Sequence, residues 1–176
     1  LTRAPYINNV DLTLHRGEVL GIAGLMGAGR TELMRAIYGA DKLDRGSIEV
    51  NGSAAYLSSP RKALDQGLGL APEDRKTQGL VLSMPIAHNA TMPSLLEYVG
   101  PFGLNLRKET AAAKDLCEKL FVKYASLSQP AGNLSGGNQQ KVVLAKLLGA
   151  GTDIYLLDEP TRGIDIGAKE AIFDLI

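Results

Sequence analysis

Hydrophobic residues along the chain fall into one alternating segment and several continuous apolar runs, separated by glycine-rich turns. Residues 10–14 alternate between apolar and polar, which predicts a half-buried strand. The runs at 19–23 and 154–157 are apolar throughout, as expected for strands that are covered on both faces. A shorter strand is predicted just before the turn dipeptide Asn51-Gly52. The predicted strands are therefore 10–14, 19–23, 47–50, 68–71 and 154–157.

The helical segments are marked by their start and stop signals. Ser59 precedes a proline, so that a capping hydroxyl stands before a proline at the first helical position. Ser135 can cap a later helix, and the spacing of Leu116, Leu120 and Phe121 predicts one apolar stripe along another. The predicted helices are 31–38, 60–67, 107–124, 136–148 and 167–176.

The order of these elements predicts the fold class. Strands that alternate with helices indicate an α/β fold with a mainly parallel sheet, and we expect antiparallel edge strands near the N-terminus. From 85 to 134 the pattern is helical without a convincing strand, which predicts an inserted helical subdomain. We therefore expect one domain over residues 1–176, with an α/β core at 1–84 and 151–176 and a helical subdomain at 85–150.

Composition narrows the class of protein. Hydrophobic residues make up 45% of the chain and 19 basic residues balance 19 acidic ones, so neither disorder nor a nucleic-acid surface is expected. No run approaches the roughly 20 apolar residues of a membrane span, and a signal-peptide pattern is absent from the sequence. The single cysteine, Cys117, predicts an inert core thiol in a reducing, cytosolic setting. Because Leu1 is not Met, we expect a piece of a longer protein.

A glycine-rich segment connects the apolar run at 19–23 to the helix at 31–38. In this strand–loop–helix context backbone amides cradle phosphate, since a Cβ would block the required conformations. Thr31 stands where a Mg²⁺-binding hydroxyl belongs, whereas Arg30 replaces the lysine that this loop normally carries. The alternative is a glycine-rich turn without a ligand. The loop residues are Gly24, Leu25, Met26, Gly27, Ala28, Gly29, Arg30 and Thr31.

Two segments carry chemistry in the second half of the chain. Residues 134–139, Leu-Ser-Gly-Gly-Asn-Gln, open a helix, and a serine followed by glycine amides forms an anion-binding helix N-terminus. An ordinary capped helix is the alternative.

The strand at 154–157 ends in Asp158 and Glu159, which places one carboxylate beside a metal ion and the other near an attacking water. A purely structural pair of acids is disfavoured because uncompensated buried charge is costly.

The order and spacing of these motifs resemble the ATP-binding-cassette (ABC) ATPases over residues 9–176. The resemblance implies a P-loop NTPase core of the RecA-like type, with ATP and Mg²⁺ as cofactors. It makes 24–31 the Walker A loop, 134–139 the signature motif and Glu159 the catalytic glutamate. It also implies metal ligation by Thr31, Glu73 (at the Q-loop position) and Asp158 (the Walker B aspartate), and nucleotide contacts by Ser135, Gly136, Gly137, Gln139 and the D-loop Asp165.

Four segments narrow the resemblance: 24–33, 72–76 (Pro-Glu-Asp-Arg-Lys), 134–141 and 158–165. They are similar to the C-terminal cassette of the double-cassette ATPase subunits of bacterial sugar importers, in which Arg in the Walker A loop and Glu in the Q-loop are usual. The resemblance implies ATP hydrolysis coupled to carbohydrate uptake at the cytoplasmic face of the inner membrane. The implied partners are a second cassette on the same full-length chain, transmembrane permease subunits and, indirectly, a periplasmic sugar-binding protein, with no nucleic acid.

Two other functions stay open at this point. Arg30 and Glu73 favour a degenerate, regulatory cassette that binds ATP with little hydrolysis of its own. An ABC protein of DNA repair or translation is disfavoured, because such proteins carry large insertions or basic surfaces that this neutral chain lacks.

The join between the core and the helical subdomain is the predicted docking region. Residues 72–94 are rich in loop-forming positions, and we expect them to contact the permease. Arg75 and His88, which belong to this segment, are predicted to be exposed to solvent.

Overall fold

Helices and strands alternate along the chain in a computed structural model, which describes residues 1–164 and 166–174. In chain order the elements are α1 (Arg30–Ile37), β1 (Ile48–Val50), β2 (Ser53–Ala55), α2 (Pro60–Asp65), β3 (Leu68–Ala71), α3 (Ile86–Thr91), β4 (Val99–Gly100), β5 (Gly103–Leu104), α4 (Leu106–Lys119), α5 (Gly136–Gly149), β6 (Ile154–Leu157) and α6 (Ile166–Phe173). A π-helical turn, Arg75–Gly79, follows β3, and 3₁₀ segments cover Met92–Tyr98 and Ala131–Asn133.

β3 and β6 form a parallel pair, although α3, β4, β5, α4 and α5 lie between them in sequence. Leu68 stands opposite Ile154, and Ala71 stands opposite Leu157. This pairing confirms the mixed α/β fold with parallel strands. Because parallel strands end at the same edge of a sheet, the residues that follow β3 and β6 emerge side by side.

The N-terminal segments differ from the sequence prediction. Residues 10–14 and 19–23 form no strand, and Val19 is 80% exposed. A strand needs a neighbour that satisfies its backbone groups, and within the described residues no other segment forms a ladder with these two. Isolated antiparallel bridges join Thr2 to Arg45 and Arg3 to Ile7, and the antiparallel ladder in this half of the chain is that of β1 with β2. Their Asn51-Gly52 turn has positive φ at both residues, the geometry of a two-residue hairpin.

The helix N-termini lie where the capping residues predict them. One helix, in contrast, ends earlier than its apolar pattern predicts. The hydroxyl oxygens of Ser59 and Ser135 each accept a hydrogen bond from the backbone N–H three residues later. The helix expected at 107–124 ends at Lys119 instead, because Phe121 has a φ of 51° that cannot continue a helix. Phe121 is exposed, so its assignment to the apolar stripe is wrong. The β4–β5 hairpin was not predicted, since strands of two residues show no alternation.

The largest hydrophobic core lies between α3, α4 and α5. Val142 and Val143 of α5 are fully buried there, as is Cys117 of α4. Burial raises the pKa of the Cys117 thiol to about 11, in agreement with an inert core cysteine. Because α5 also packs against β3, this core fixes α5 relative to the parallel strands. Over the described ranges, no helix is both long and apolar enough to cross a bilayer.

Candidate nucleotide-binding site

The glycine-rich loop lies at the N-terminus of α1, with Leu25 and Met26 almost fully exposed. Gly27 and Gly29 have φ values of 80° and 85°, which residues with a Cβ rarely adopt. A Cβ on Gly29 would lie 2.6 Å from the carbonyl oxygen of Tyr6, so the close approach requires glycine. Gly29 stands at the N-cap without a capping side chain. The first amides of α1 are therefore donors for water or for an anion.

Three acidic residues lie at the carboxyl ends of the parallel strands. Glu73 is two positions beyond β3, and Asp158 and Glu159 directly follow β6. The N–H of Asp158 donates to the carbonyl oxygen of Ala71 at 2.9 Å, which extends the parallel ladder by one step. Asp158 is only 4% exposed. Glu159 has a φ of 44°, so the chain turns away from the strand direction immediately after the buried carboxylate.

Side-chain contacts join the glycine-rich loop to these carboxylates. Nη2 of Arg30 donates to Oε1 of Glu159 at 3.0 Å, and Oγ1 of Thr31 donates to Oε2 of Glu73 at 3.3 Å. The guanidinium of Arg162 also contacts Glu73. Because Arg30 and Glu159 are both partly exposed, their ion pair contributes only about 0.2–1 kcal/mol. Arg30 can therefore exchange Glu159 for a phosphate at small cost.

The signature residues form a separate group at the start of α5. Ser135 is exposed at the N-cap, and Nδ2 of Asn138 donates to its Oγ at 3.0 Å. Gln139 is buried instead, and its Nε2 donates to the carbonyl oxygen of Leu134 at 3.1 Å. Gln139 thus stabilises the N-terminus of α5 from its buried side. Asp165, which the sequence analysis assigned to the same site, lies outside the described residues.

The proposed metal ligands are a hydroxyl and two carboxylates, those of Thr31, Glu73 and Asp158. Oxygen ligands of this kind suit Mg²⁺, and Thr31 and Glu73 are already in hydrogen-bond contact. Within residues 1–164 and 166–174, no group of three or more His, Cys, Asp or Glu side chains is placed to hold a metal ion. Thr31 and Glu73 thus offer two neighbouring oxygen ligands of the kind that Mg²⁺ binds together with phosphate oxygens and water.

Two side chains that were predicted to be exposed make specific contacts with residues distant in sequence. Arg75 is 8% exposed and donates to the carbonyl oxygens of Arg162 and Gly163 at 2.7 and 3.2 Å. Nδ1 of His88, in α3, lies 2.7 Å from Oε1 of the buried Glu109. The prediction was wrong for Arg75, because its partners are backbone carbonyls 87 and 88 positions away and no local sequence pattern indicates them. The His88 side chain remains 37% exposed, and only its contact with Glu109 was not predicted.

Comparison with known proteins assigns the family. A family profile described as ABC transporter matches residues 7–162. The chain is 46% identical over 173 residues to the ribose import ATP-binding protein RbsA of Lactococcus lactis subsp. lactis (strain IL1403), covering 98% of this chain and 35% of that protein. It is 50% identical over 165 residues to the protein of the same description from Jannaschia sp. (strain CCS1), covering 94% and 32%. The chain therefore belongs to the ABC transporter family, and it spans about a third of the length of these relatives.

Solved structures agree on the fold. A dimeric ATP-binding cassette in a post-hydrolysis state, bound to ADP and Pi, superposes with a TM-score of 0.79 at 23% identity, covering 95% of this chain and 71% of that one. A nucleotide-free ATP-binding cassette from an ABC transporter gives a TM-score of 0.66 at 21% identity, covering 85% and 60%. The architecture is that of an ABC cassette, as the motif order indicated.

Proposed function

We propose that the chain is an ATP-binding and ATP-hydrolysing cassette that couples hydrolysis to carbohydrate uptake in an ABC-type importer. The observation that carries the proposal is the meeting of Arg30 with Glu159 and of Thr31 with Glu73. Phosphoryl transfer to water needs a phosphate cradle, metal-binding oxygens and a water-orienting carboxylate in one place. The descriptions of the relatives as ribose import proteins favour a sugar as the transported molecule.

In this proposal the loop at 24–31 and the Arg30 side chain bind the phosphates. Arg30 keeps the positive charge of the usual lysine, and its planar fork can donate two parallel hydrogen bonds to phosphate oxygens. When Arg30 turns to the phosphates, the carboxylate of Glu159 becomes available to accept a hydrogen bond from the attacking water and to orient it in line. Mg²⁺ would neutralise phosphate charge in this site, bound by Thr31, Glu73 and Asp158.

The partners belong to the same proposal. We assign residues 1–84 and 151–176 to a RecA-like core and 85–150 to a helical subdomain that carries the signature motif. Ser135, with the amides of the two glycines after it, would face the nucleotide of a second cassette, with Gln139 supporting the helix start and Asp165 at the same interface. Permease subunits would dock at 72–94, on the cytoplasmic face of a bacterial inner membrane, and a periplasmic sugar-binding protein would deliver the sugar.

Replacement of Glu159 by Gln in the full-length protein tests the proposal. Loss of the water-orienting carboxylate should reduce ATP turnover by at least about 100-fold, while binding of ATP to the loop persists. Phosphate release and binding of a fluorescent ATP analogue measure the two effects, and uptake of labelled ribose reports the coupling. Glu49→Gln, at an exposed position of β1, is the matched control. A Glu159→Gln protein with wild-type turnover would contradict the proposal.

The regulatory alternative makes a different prediction for the same experiment. A cassette that binds ATP without hydrolysing it at its own loop should lose little turnover on Glu159→Gln, because the second cassette would supply the activity. Arg30 and Glu73 gave this alternative its only sequence support. The relatives at 46% and 50% identity are described as import ATP-binding proteins. These descriptions do not support the regulatory alternative.

A further inference from the structure

The guanidinium of Arg75 is a buried cation whose described partners are backbone oxygens. It donates to the carbonyls of Arg162 and Gly163 at 2.7 and 3.2 Å, and its Nε is buried without a hydrogen-bond partner. Burial of a guanidinium without full compensation disfavours the folded state. An apolar side chain of similar volume would fill the same space without that penalty. The positive charge of Arg75 is therefore better explained by a functional role than by packing alone.

Arg75 lies where three parts of the proposed machinery meet. It begins the π-helical turn that follows β3 and Glu73, and its two acceptors lie in the segment that follows Glu159. The start of α5 is the third part. A Cβ on Gly136 would lie 2.8 Å from Nη2 of Arg75 and 3.1 Å from the carbonyl oxygen of Gly163. One side chain thus touches the continuation of each strand and the opening of the signature helix.

The π-helical turn is itself tied to both helices of the site. Nη1 of Arg35, in α1, donates to Oε1 of Gln78 at 3.1 Å. Nζ of Lys146, in α5, donates to the carbonyl oxygen of Gly79, and this amine is largely desolvated, which lowers its pKa. Single π-helical turns are frequent at functional sites. Here the turn connects α1, α5 and, through Arg75, the segment after Glu159.

We propose that Arg75 is a positioning residue for ATP hydrolysis, which fixes the turn after Glu159 against the first residues of α5. The inference rests on the proposed function and adds a residue to it. In the part of the chain that the structure describes, Arg75 hydrogen-bonds to residues 162 and 163 and not to the loop at 24–31. Its loss should therefore misplace Glu159 while nucleotide binding is kept.

The test uses the full-length protein with Arg75→Met, Arg75→Lys and the control Arg61→Met, an exposed arginine in α2. We expect Arg75→Met to lower kcat by about tenfold or more and to change KM by less than about threefold. Arg75→Lys should recover part of kcat, because an ammonium can donate to one carbonyl but not to both in the fork geometry. Arg61→Met should match the wild type. Thermal unfolding of each variant gives the folded fraction at the assay temperature.

The outcomes separate the inference from the proposed function. If Arg75→Met keeps wild-type kcat per folded molecule, Arg75 only supports the fold and the inference is overturned. A rise in KM with unchanged kcat overturns it as well, because Arg75 would then act on binding. If the wild type shows no turnover that Glu159→Gln removes, the proposed function itself fails and the inference fails with it. A fall in kcat at constant KM, with partial recovery in Arg75→Lys, supports the inference.

Discussion

Ser135→Arg and Arg30→Ala, compared in the full-length protein, test which ATP site each part of this cassette serves. In the head-to-tail arrangement that the family resemblance implies, the loop at 24–31 and the motif at 134–139 act on different ATP molecules. Ser135 would serve the nucleotide on the partner cassette, whose loop is expected to keep its lysine. Arg30 would bind the phosphates of this cassette's own nucleotide, a role that it shares with the backbone amides of the loop. Ser135→Arg should therefore be the more damaging change.

The structure sets the size of both effects on folding. The ion pair of Arg30 with Glu159 is partly exposed, so Arg30→Ala costs about 0.2–1 kcal/mol of stability. Loss of the Ser135 hydroxyl removes an N-cap, which costs about 1 kcal/mol. Neither cost approaches the roughly 5–15 kcal/mol that stabilises a typical domain. A large loss of transport in either variant therefore reports on nucleotide chemistry and not on unfolding.

The effect on transport follows from what each side chain would do to a phosphate. Arg at position 135 places a bulky side chain where the γ-phosphate docks. Loss of one transition-state donor alone costs about 100- to 1,000-fold, so we expect at least that loss. Arg30→Ala should reduce transport by less than about tenfold at saturating ATP, because the loop amides still bind the phosphates and Glu159 still orients the water.

The assay is uptake of labelled ribose at matched expression of both variants. Ser135→Ala removes the cap without adding bulk, and Arg30→Lys restores the usual loop residue, so these two variants serve as controls. If Arg30→Ala is the more damaging of the two main variants, the assignment of Ser135 to the docking position of a γ-phosphate is wrong.

Two further predictions concern the docking region and the core. Cysteines placed at Gln78 and Ser83, which are exposed positions of the 72–94 segment, should cross-link efficiently to the permease; cross-links only from Glu49 in β1 would contradict the docking assignment. The Cys117 thiol, with a pKa raised to about 11 by burial, should be alkylated at pH 8 more than about 100-fold more slowly than an ordinary thiol of pKa about 8.5. Pseudo-first-order labelling measures this, with the urea-unfolded protein as control, and equal rates would show that the thiol is accessible.

Short-range signals predicted a large part of the fold and named the residues of the candidate site. β3 and β6 coincide with the apolar runs at 68–71 and 154–157. The caps at Ser59 and Ser135 form as the residue types predict. Each of these features depends on a few neighbouring residues, so the sequence pattern contains the required information. The site residues that these segments position, such as Glu159, could be named for the same reason.

Features that depend on distant partners could not be predicted. The apolar run at 19–23 carries a strand pattern, yet a ladder forms only where another segment supplies the partner, and the pattern does not contain that partner. The burial of Arg75 depends on two carbonyls contributed after β6. The pairing of His88 with Glu109 requires α3 to pack against α4. Side-chain spacing along one element does not encode such contacts.

The distance in sequence between the two halves of the site has a consequence for synthesis of the protein. Arg30 and Glu159 are 129 positions apart, and at translation rates of roughly 5–20 residues per second the loop precedes the glutamate by about 6–26 s. During that interval the emerging chain presents the phosphate cradle without the carboxylate. In the proposed function, a nascent or prematurely terminated chain that stops before β6 therefore lacks the carboxylate that orients the attacking water. Synthesis would supply the phosphate cradle first and the means of hydrolysis only after β6.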